Sequence, residues 1–406
     1  VKEFFVANIE IFQYLSIPLI SGLIGWGTNW LALKMTFYPV EFVGIGPIGW
    51  QGIVPSKAAK MSATAVDLWT SKLIKVQDIF SQLDPKKVAK EMKPRFLEMA
   101  KDILDEVMKN ESPVVWSRVP ESVKQGIYKR IAKDMPQVVE RLMADMNENI
   151  EEIFDLKDMI VKDLTNDKAL MNEVMIRCGK REFKFIEHSG FYFGFLFGLI
   201  QMAIWISYPE WWILPAAGLV VGYATNWVAL KLIFEPVNEK NFLGMKFQGL
   251  FIKRQDEVSF EYSKMLAERI LTPEKIFTEL INGPKKYIFY DMVKKHVHQS
   301  IDETAGYSKH LVTVVAGERR YQKLKEIATH YVIDRLDESI EDAYEYSYDA
   351  MNLHEVLDDK MKKLTSEEFV EFLRPVFKED ELTLILVGAA LGCVAGWVQL
   401  IAVFGW

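Results

Sequence analysis

The chain has 406 residues, half of them hydrophobic and 13% aromatic, which excludes intrinsic disorder and leaves room for two or three ordinary domains. A mean hydropathy of +0.03 lies between that of a soluble enzyme and that of a compact transporter, and points to membrane spans joined to large water-exposed parts. The net charge of −7 gives no support to a nucleic-acid partner, and two cysteines, Cys178 and Cys393, exclude a disulfide framework or a four-thiolate zinc site.

The first apolar stretch, about 11–37, is long enough to cross a bilayer as a helix, which takes about 20 residues. It carries Ser21, Gly25 and Asn29 four apart, with Thr28 beside the last and Lys34 near its end. A segment rich in aromatic residues, glycine and proline follows, up to Lys57. It reads as an interfacial or re-entrant loop with Gln51-Gly52 at a sharp turn.

From Pro55 the pattern is helical. Over 88–108, Met92, Phe96, Met99, Ile103 and Val107 share one face at steps of three and four. The stretch 127–153 behaves alike. Asp84-Pro85, Ser112-Pro113 and Val119-Pro120 read as turns or helix starts, so a broken bundle is expected rather than two 75-residue rods. Strand signals are almost absent.

A second span, about 190–207, carries Gly190, Gly194, Gly198 and Gln201. Only Tyr208, Pro209 and Glu210 separate it from a third, about 211–234, with Gly218, Gly222, Thr225, Asn226 and Lys231. After it come Gln248-Gly249 and Arg254, then helical patterns over 324–344 and 353–376 with a Gly283-Pro284 turn between. A fourth span, about 382–403, holds Gly388, Gly392, Gly396 and Gln399.

These elements read as one unit written twice. Thr28-Asn29-Trp30-Leu31-Ala32-Leu33-Lys34 and Thr225-Asn226-Trp227-Val228-Ala229-Leu230-Lys231 stand 197 apart, as do Pro39-Val40 and Pro236-Val237, and Gln51-Gly52 and Gln248-Gly249. The glycines of the second and fourth spans stand 198 apart. The expectation is an all-α membrane protein of four spans, with repeat one at 1–208, repeat two at 209–406 and a pseudo-two-fold axis along the membrane normal. Lys and Arg flank 38–189 and 235–381, which puts both stretches on the cytoplasmic side of a bacterial inner membrane and both termini outside. The N-terminus has no basic region of a signal peptide.

Small residues four apart let helix backbones approach closely. The amides Asn29, Asn226, Gln201 and Gln399 are either interhelical clamps or the lining of a polar path, and with no Asp or Glu at the helix centres a proton relay is not expected. Lys34 and Lys231 are placed to snorkel to lipid headgroups, with Lys57 and Arg254 as possible neighbours there. His296 and His298, two apart, face different sides of a helix. His188, His310, His330 and His354 have no ligand spacing around them. No nucleotide-binding or hydrolase motif occurs, so neither enzymatic activity nor cofactor nor metal is expected.

The T-N-W-x-A-L-K run, the F-x-P after it and Gly49-Trp50-Gln51-Gly52-Ile53-Val54-Pro55-Ser56-Lys57 together resemble a family of bacterial membrane proteins. It is domain-of-unknown-function family 445, with its YheB- and YjiN-like members, and the resemblance covers essentially the whole chain. It implies a polytopic membrane protein with no established activity or cofactor. The second copy has Phe247 for the tryptophan and Ile252 for the proline, which makes the first loop the better candidate for a binding role.

The leading expectation is a non-enzymatic scaffold that displays cytoplasmic helical rods, forms a homo-oligomer in membrane lipid and engages a cytoplasmic or envelope protein. The alternative is a conduit for lipid or a small solute, lined by the four amides or by the apolar faces of the cytoplasmic helices.

Overall fold

The computed structural model describes residues 9–111, 113–242, 245–305, 318–378 and 381–405. The first eight residues and His310 lie outside these. In chain order the principal elements are helix α1 (Ile9–Phe37), the hairpin β1 (Val43–Ile45) and β2 (Ile48–Trp50), and helices α2 (Lys93–Glu111), α3 (Glu121–Glu148), α4 (Lys180–Ser207) and α5 (Ile213–Phe234). A second hairpin follows, β3 (Lys240–Phe242) and β4 (Met245–Phe247), then α6 (Lys286–Ala305), α7 (Glu318–Asp334) and α8 (Glu381–Phe404). Shorter helices connect them, so the fold is all-α apart from the two hairpins.

Three helices among the described residues, α4, α5 and α8, are long and apolar enough to cross a membrane. Four were expected. The first expected span, about 11–37, forms as the 29-residue helix α1, in which Gln13, Pro18, Thr28, Asn29 and Lys34 interrupt the apolar run. Helix α4 begins at Lys180, ahead of the apolar stretch that was read from the sequence.

The chain divides into two compact units, each drawing on both halves of the sequence: one from Val1–Leu68, Val161–Met265 and Asp358–Trp406, the other from Trp69–Ile160 and Leu266–Leu357. The second unit opens, in each half, on a π-helical turn, Trp69–Leu73 and Leu266–Ile270, with Ile74 N–H donating to Trp69 O and Leu271 N–H to Leu266 O.

In the first unit α1 packs on α4 and α5 on α8. Ile17, Trp205, Ile213, Leu214 and Leu400 bring the four helices to one buried cluster. The second unit is a bundle of broken helices. Its longest piece, α3, has 28 residues and spans about 42 Å, far short of a rod. Its starts are locally encoded: the Asp84 side chain accepts from Lys86 N–H at 2.9 Å with Pro85 in the first turn, and Thr272 caps the helix that begins at Pro273. Arg95 pairs with Asp342 at 2.6 Å and Arg335 with Asp102 at 2.7 Å, tying helices distant in sequence.

Candidate functional site

The two helix crossings of the first unit are built from the same contacts. A Cβ added at Gly25 would overlap the Gly190 carbonyl oxygen, and one at Gly222 would overlap that of Gly388. Gly194 and Gly198 lie against Ser21 and Pro18, and Gly392 and Gly396 against Gly218, Leu214 and Pro215. Backbone therefore meets backbone, which only a missing side chain allows.

Each crossing is closed by an asparagine. Asn29 Nδ2 donates to Ile186 O at 2.6 Å, and Asn226 Nδ2 donates to Leu384 O at 2.8 Å. Both Oδ1 atoms are buried without a hydrogen-bond partner among the described residues. Thr28 and Thr225 turn back on their own helices, to Gly25 O and Gly222 O.

The glutamines differ. Ser21 Oγ donates to Gln201 Oε1 at 2.9 Å. The residue 197 beyond Ser21 is Gly218, where a Cβ would overlap the Gly392 carbonyl oxygen. Gln399, only 3% exposed, consequently has no hydroxyl facing it, and neither of its amide atoms has a partner among the described residues.

The expected loop turn is not at the Gln-Gly pairs. The first chain reversal is at Gly46, which has φ +58, between β1 and β2. Gln51 and Gly52 instead fasten the base of the loop: Gln51 Nε2 donates to Val40 O and Gly52 N–H to Pro39 O, at 2.7 and 2.8 Å. Gln248 Nε2 and Gly249 N–H bind Val237 O and Pro236 O in the same way, both at 3.0 Å. The glycine is needed because a Cβ at Gly52 would lie 2.7 Å from the Phe37 carbonyl carbon. The first hairpin carries Ile45 and Ile48 at its tip, 90% and 81% exposed.

Of the basic residues, Lys34 lies over the Tyr38 ring at 5.2 Å, and Lys231 over Trp227 at 4.8 Å with Glu235 at 3.6 Å. Lys57 is half-buried. Arg254 departs from the headgroup expectation: it donates to buried Glu182 and, at 2.8 Å, to Glu257, and that second hydrogen bond holds the Glu257 carboxyl below its ordinary range. Glu182 was missed in the sequence because its partner lies 72 residues away.

The second unit contains a cavity of about 900 Å³ between α2, α3, α6 and α7. Met92, Phe96, Met99, Ile103 and Val107, the stripe that shares one face in the sequence, all line it. Sequence periodicity places these side chains inward but says nothing of how completely they fill the space. No group of three or more His, Cys, Asp or Glu placed to hold a metal occurs among the described residues.

With this geometry in hand, the chain is similar to membrane proteins of Bacillus. It is 28% identical over 165 residues to the UPF0754 membrane protein of Bacillus thuringiensis (strain Al Hakam), which is 38% of this chain and 41% of that protein. It is 39% identical over 88 residues to the UPF0754 membrane proteins of Bacillus cereus (strain AH820) and Bacillus anthracis (strain A0248), 20% of this chain and 21% of each relative. The chain thus spans about two fifths or less of the curated relatives it matches. Their name states a membrane location and no activity, and it is not the YheB- or YjiN-like name that the motif suggested. No family profile matches the chain, and no solved structure matches it.

Proposed function

We propose that the chain is a non-enzymatic membrane assembly protein: a tandem repeat, 1–208 and 209–406, whose four spans include α1. The observation that carries this reading is the recurrence of one crossing, glycine backbone on glycine backbone closed by an asparagine that donates to the neighbouring helix. An amide so engaged clamps two helices, at about 0.6–1.7 kcal/mol each, and leaves little of itself for a solute path. Inclusion of α1 as a span is supported by its outer face, where Leu15, Leu19, Leu23, Trp26 and Trp30 are exposed, while Ser21, Thr28, Asn29 and Thr36 are buried against protein. Lys and Arg at the ends of the spans favour 38–189 and 235–381 on the cytoplasmic side. The exposed apolar faces take lipid and, in a homo-oligomer, a second copy. The exposed Ile45 and Ile48 suit the membrane interface, and the second unit is left to meet a cytoplasmic or envelope partner.

The test is Asn29→Leu combined with Asn226→Leu in lipid nanodiscs. Loss of the α1–α4 and α5–α8 pairings, read by cysteine crosslinking, with a lower subunit count in native mass spectrometry, is the expected result. Intact pairing together with abolished lipid or solute flux would overturn the assembly reading in favour of a conduit.

A further inference from the structure

We propose that the cavity of the second unit binds one long-chain carboxylic acid, its acyl chain lying along α2. This stands apart from the assembly reading, which concerns the first unit. The lining is apolar along its length, with Met92, Met99, Met143 and Met146 among it, and methionine adapts to irregular flexible ligands. From Phe96 to Val107 the lined face of α2 runs about 17 Å at 1.5 Å per residue, close to the roughly 15 Å that one leaflet gives an acyl chain.

Water is a poor occupant. A water ordered against this wall wants two to four polar partners, and several polar groups of the wall are already engaged. Tyr321 donates to Asp302 and Ser339 to Arg335 O. A phospholipid headgroup is equally ill served, since no Lys or Arg among the described residues lines the space to meet a phosphate. Both stretches forming this unit are joined at each end to those carrying the apolar helices, so membrane-derived chains are the apolar ligands at highest local concentration.

His296 supplies the polar end. It lines the cavity at 6% exposure, and its Nε2 lies 2.9 Å from Asp145 Oδ2, which also accepts from Lys295 Nζ at 2.7 Å. An ionised carboxylate only accepts, so Nε2 donates to Asp145, and in the neutral ring that would leave Nδ1 as the acceptor. Nδ1 is buried with no partner among the described residues. A carboxyl group in apolar surroundings keeps its proton and can donate it there as a hydrogen bond.

The experiment uses the full chain in nanodiscs with a diazirine-bearing palmitic acid, photo-crosslinked and mapped by peptide mass spectrometry. Adducts within α2, α3 and α6, suppressed by excess unlabelled palmitate, are expected. Ala328→Phe, which fills the cavity, and His296→Leu should each lower labelling about tenfold, the factor for one ordinary hydrogen bond or comparable contact, while Leu97→Phe on the exposed face leaves it unchanged. Competition by palmitate in the unaltered protein decides the matter even if a variant misfolds. Adducts confined to α1, α4, α5 and α8, or suppression by phosphatidylglycerol and not by palmitate, would overturn the assignment.

Discussion

The unequal glutamines give a prediction of opposite sign at two corresponding positions. Gln201→Met keeps the side-chain volume roughly constant but removes the acceptor for Ser21 Oγ, a 2.9 Å bond between α1 and α4. Its loss costs about 0.5–1.5 kcal/mol, because the serine can return to its own helix. Gln399→Met removes an amide of which neither polar atom has a partner among the described residues. A buried unsatisfied polar group carries a penalty of about 1–3 kcal/mol, so this substitution should stabilise. The two variants should therefore lie about 1.5–4.5 kcal/mol apart, with the wild type between them. Equilibrium unfolding of the purified protein in mixed detergent and dodecyl sulfate micelles, followed by tryptophan fluorescence, reads the difference. Equal destabilisation by both would refute the reasoning, and would mean that Gln399 holds a buried water or a group from a second copy. Gly218→Ser, which would supply the missing hydroxyl, should not rescue Gln399, since its Cβ would overlap the Gly392 carbonyl oxygen.

The glycine contacts predict that Gly222→Ala lowers stability by about 1–3 kcal/mol, whereas Gly27→Ala, with nothing within 4 Å of the added carbon, is neutral or stabilising by up to about 1 kcal/mol; the same unfolding assay ranks them. Burial, with Glu261 and Glu182 adding to it, pushes the Cys178 thiol up to about 12, so iodoacetamide at pH 8 should alkylate it about a thousandfold more slowly than a free thiol. Peptide mass spectrometry showing alkylation of Cys178 at the free-thiol rate in folded protein would contradict this. In the second unit, hydrogen bonds from Lys295 to Asp145, from Arg141 to Glu303 and from Lys294 to Glu326 hold these carboxyls below their ordinary range. The folded form then binds fewer protons than the unfolded one, so the stability they contribute is present above about pH 4 and is lost as pH falls through the depressed values. Limited proteolysis of α3 and α6 across that window should show the loss, with Asp145→Asn less sensitive to acid than the wild type.

Much of the first unit was legible because its chemistry is local in sequence. Small residues at steps of four, with an amide one step further, place glycine and asparagine on one face of a helix and mark it for close packing, while the particular crossings, Gly25 to Gly190 and Gly222 to Gly388, are seen only in the structure. What spacing does not convey is which partner an amide meets. Asn29 and Gln201 find a carbonyl and a hydroxyl on the opposite helix, whereas neither amide atom of Gln399 has a partner among the described residues. The Gln-Gly pairs mark the right loops, yet their part is to fasten the loop base, while the reversal falls to Gly46, whose positive φ the dipeptide Gly46-Pro47 does not by itself announce. For α1, apolar length was read correctly as a helix, while only α4, α5 and α8 among the described residues combine the length and the uninterrupted apolar run of a membrane span.

The second unit exposes the deeper limit of a periodic pattern. The face made by Met92, Phe96, Met99, Ile103 and Val107 points inward as its period of three and four requires, and a packed core and a lined cavity share that pattern. They differ in volume, which depends on how α2, α3, α6 and α7 are spaced by residues outside the stripe, such as the pairs Arg335–Asp102 and Lys295–Asp145. A stripe rich in methionine was nevertheless a usable signal. Leucine and isoleucine set a fixed shape, whereas methionine tolerates several, so six methionines around one space fit an interior that opens for a chain-like guest better than one that closes on itself.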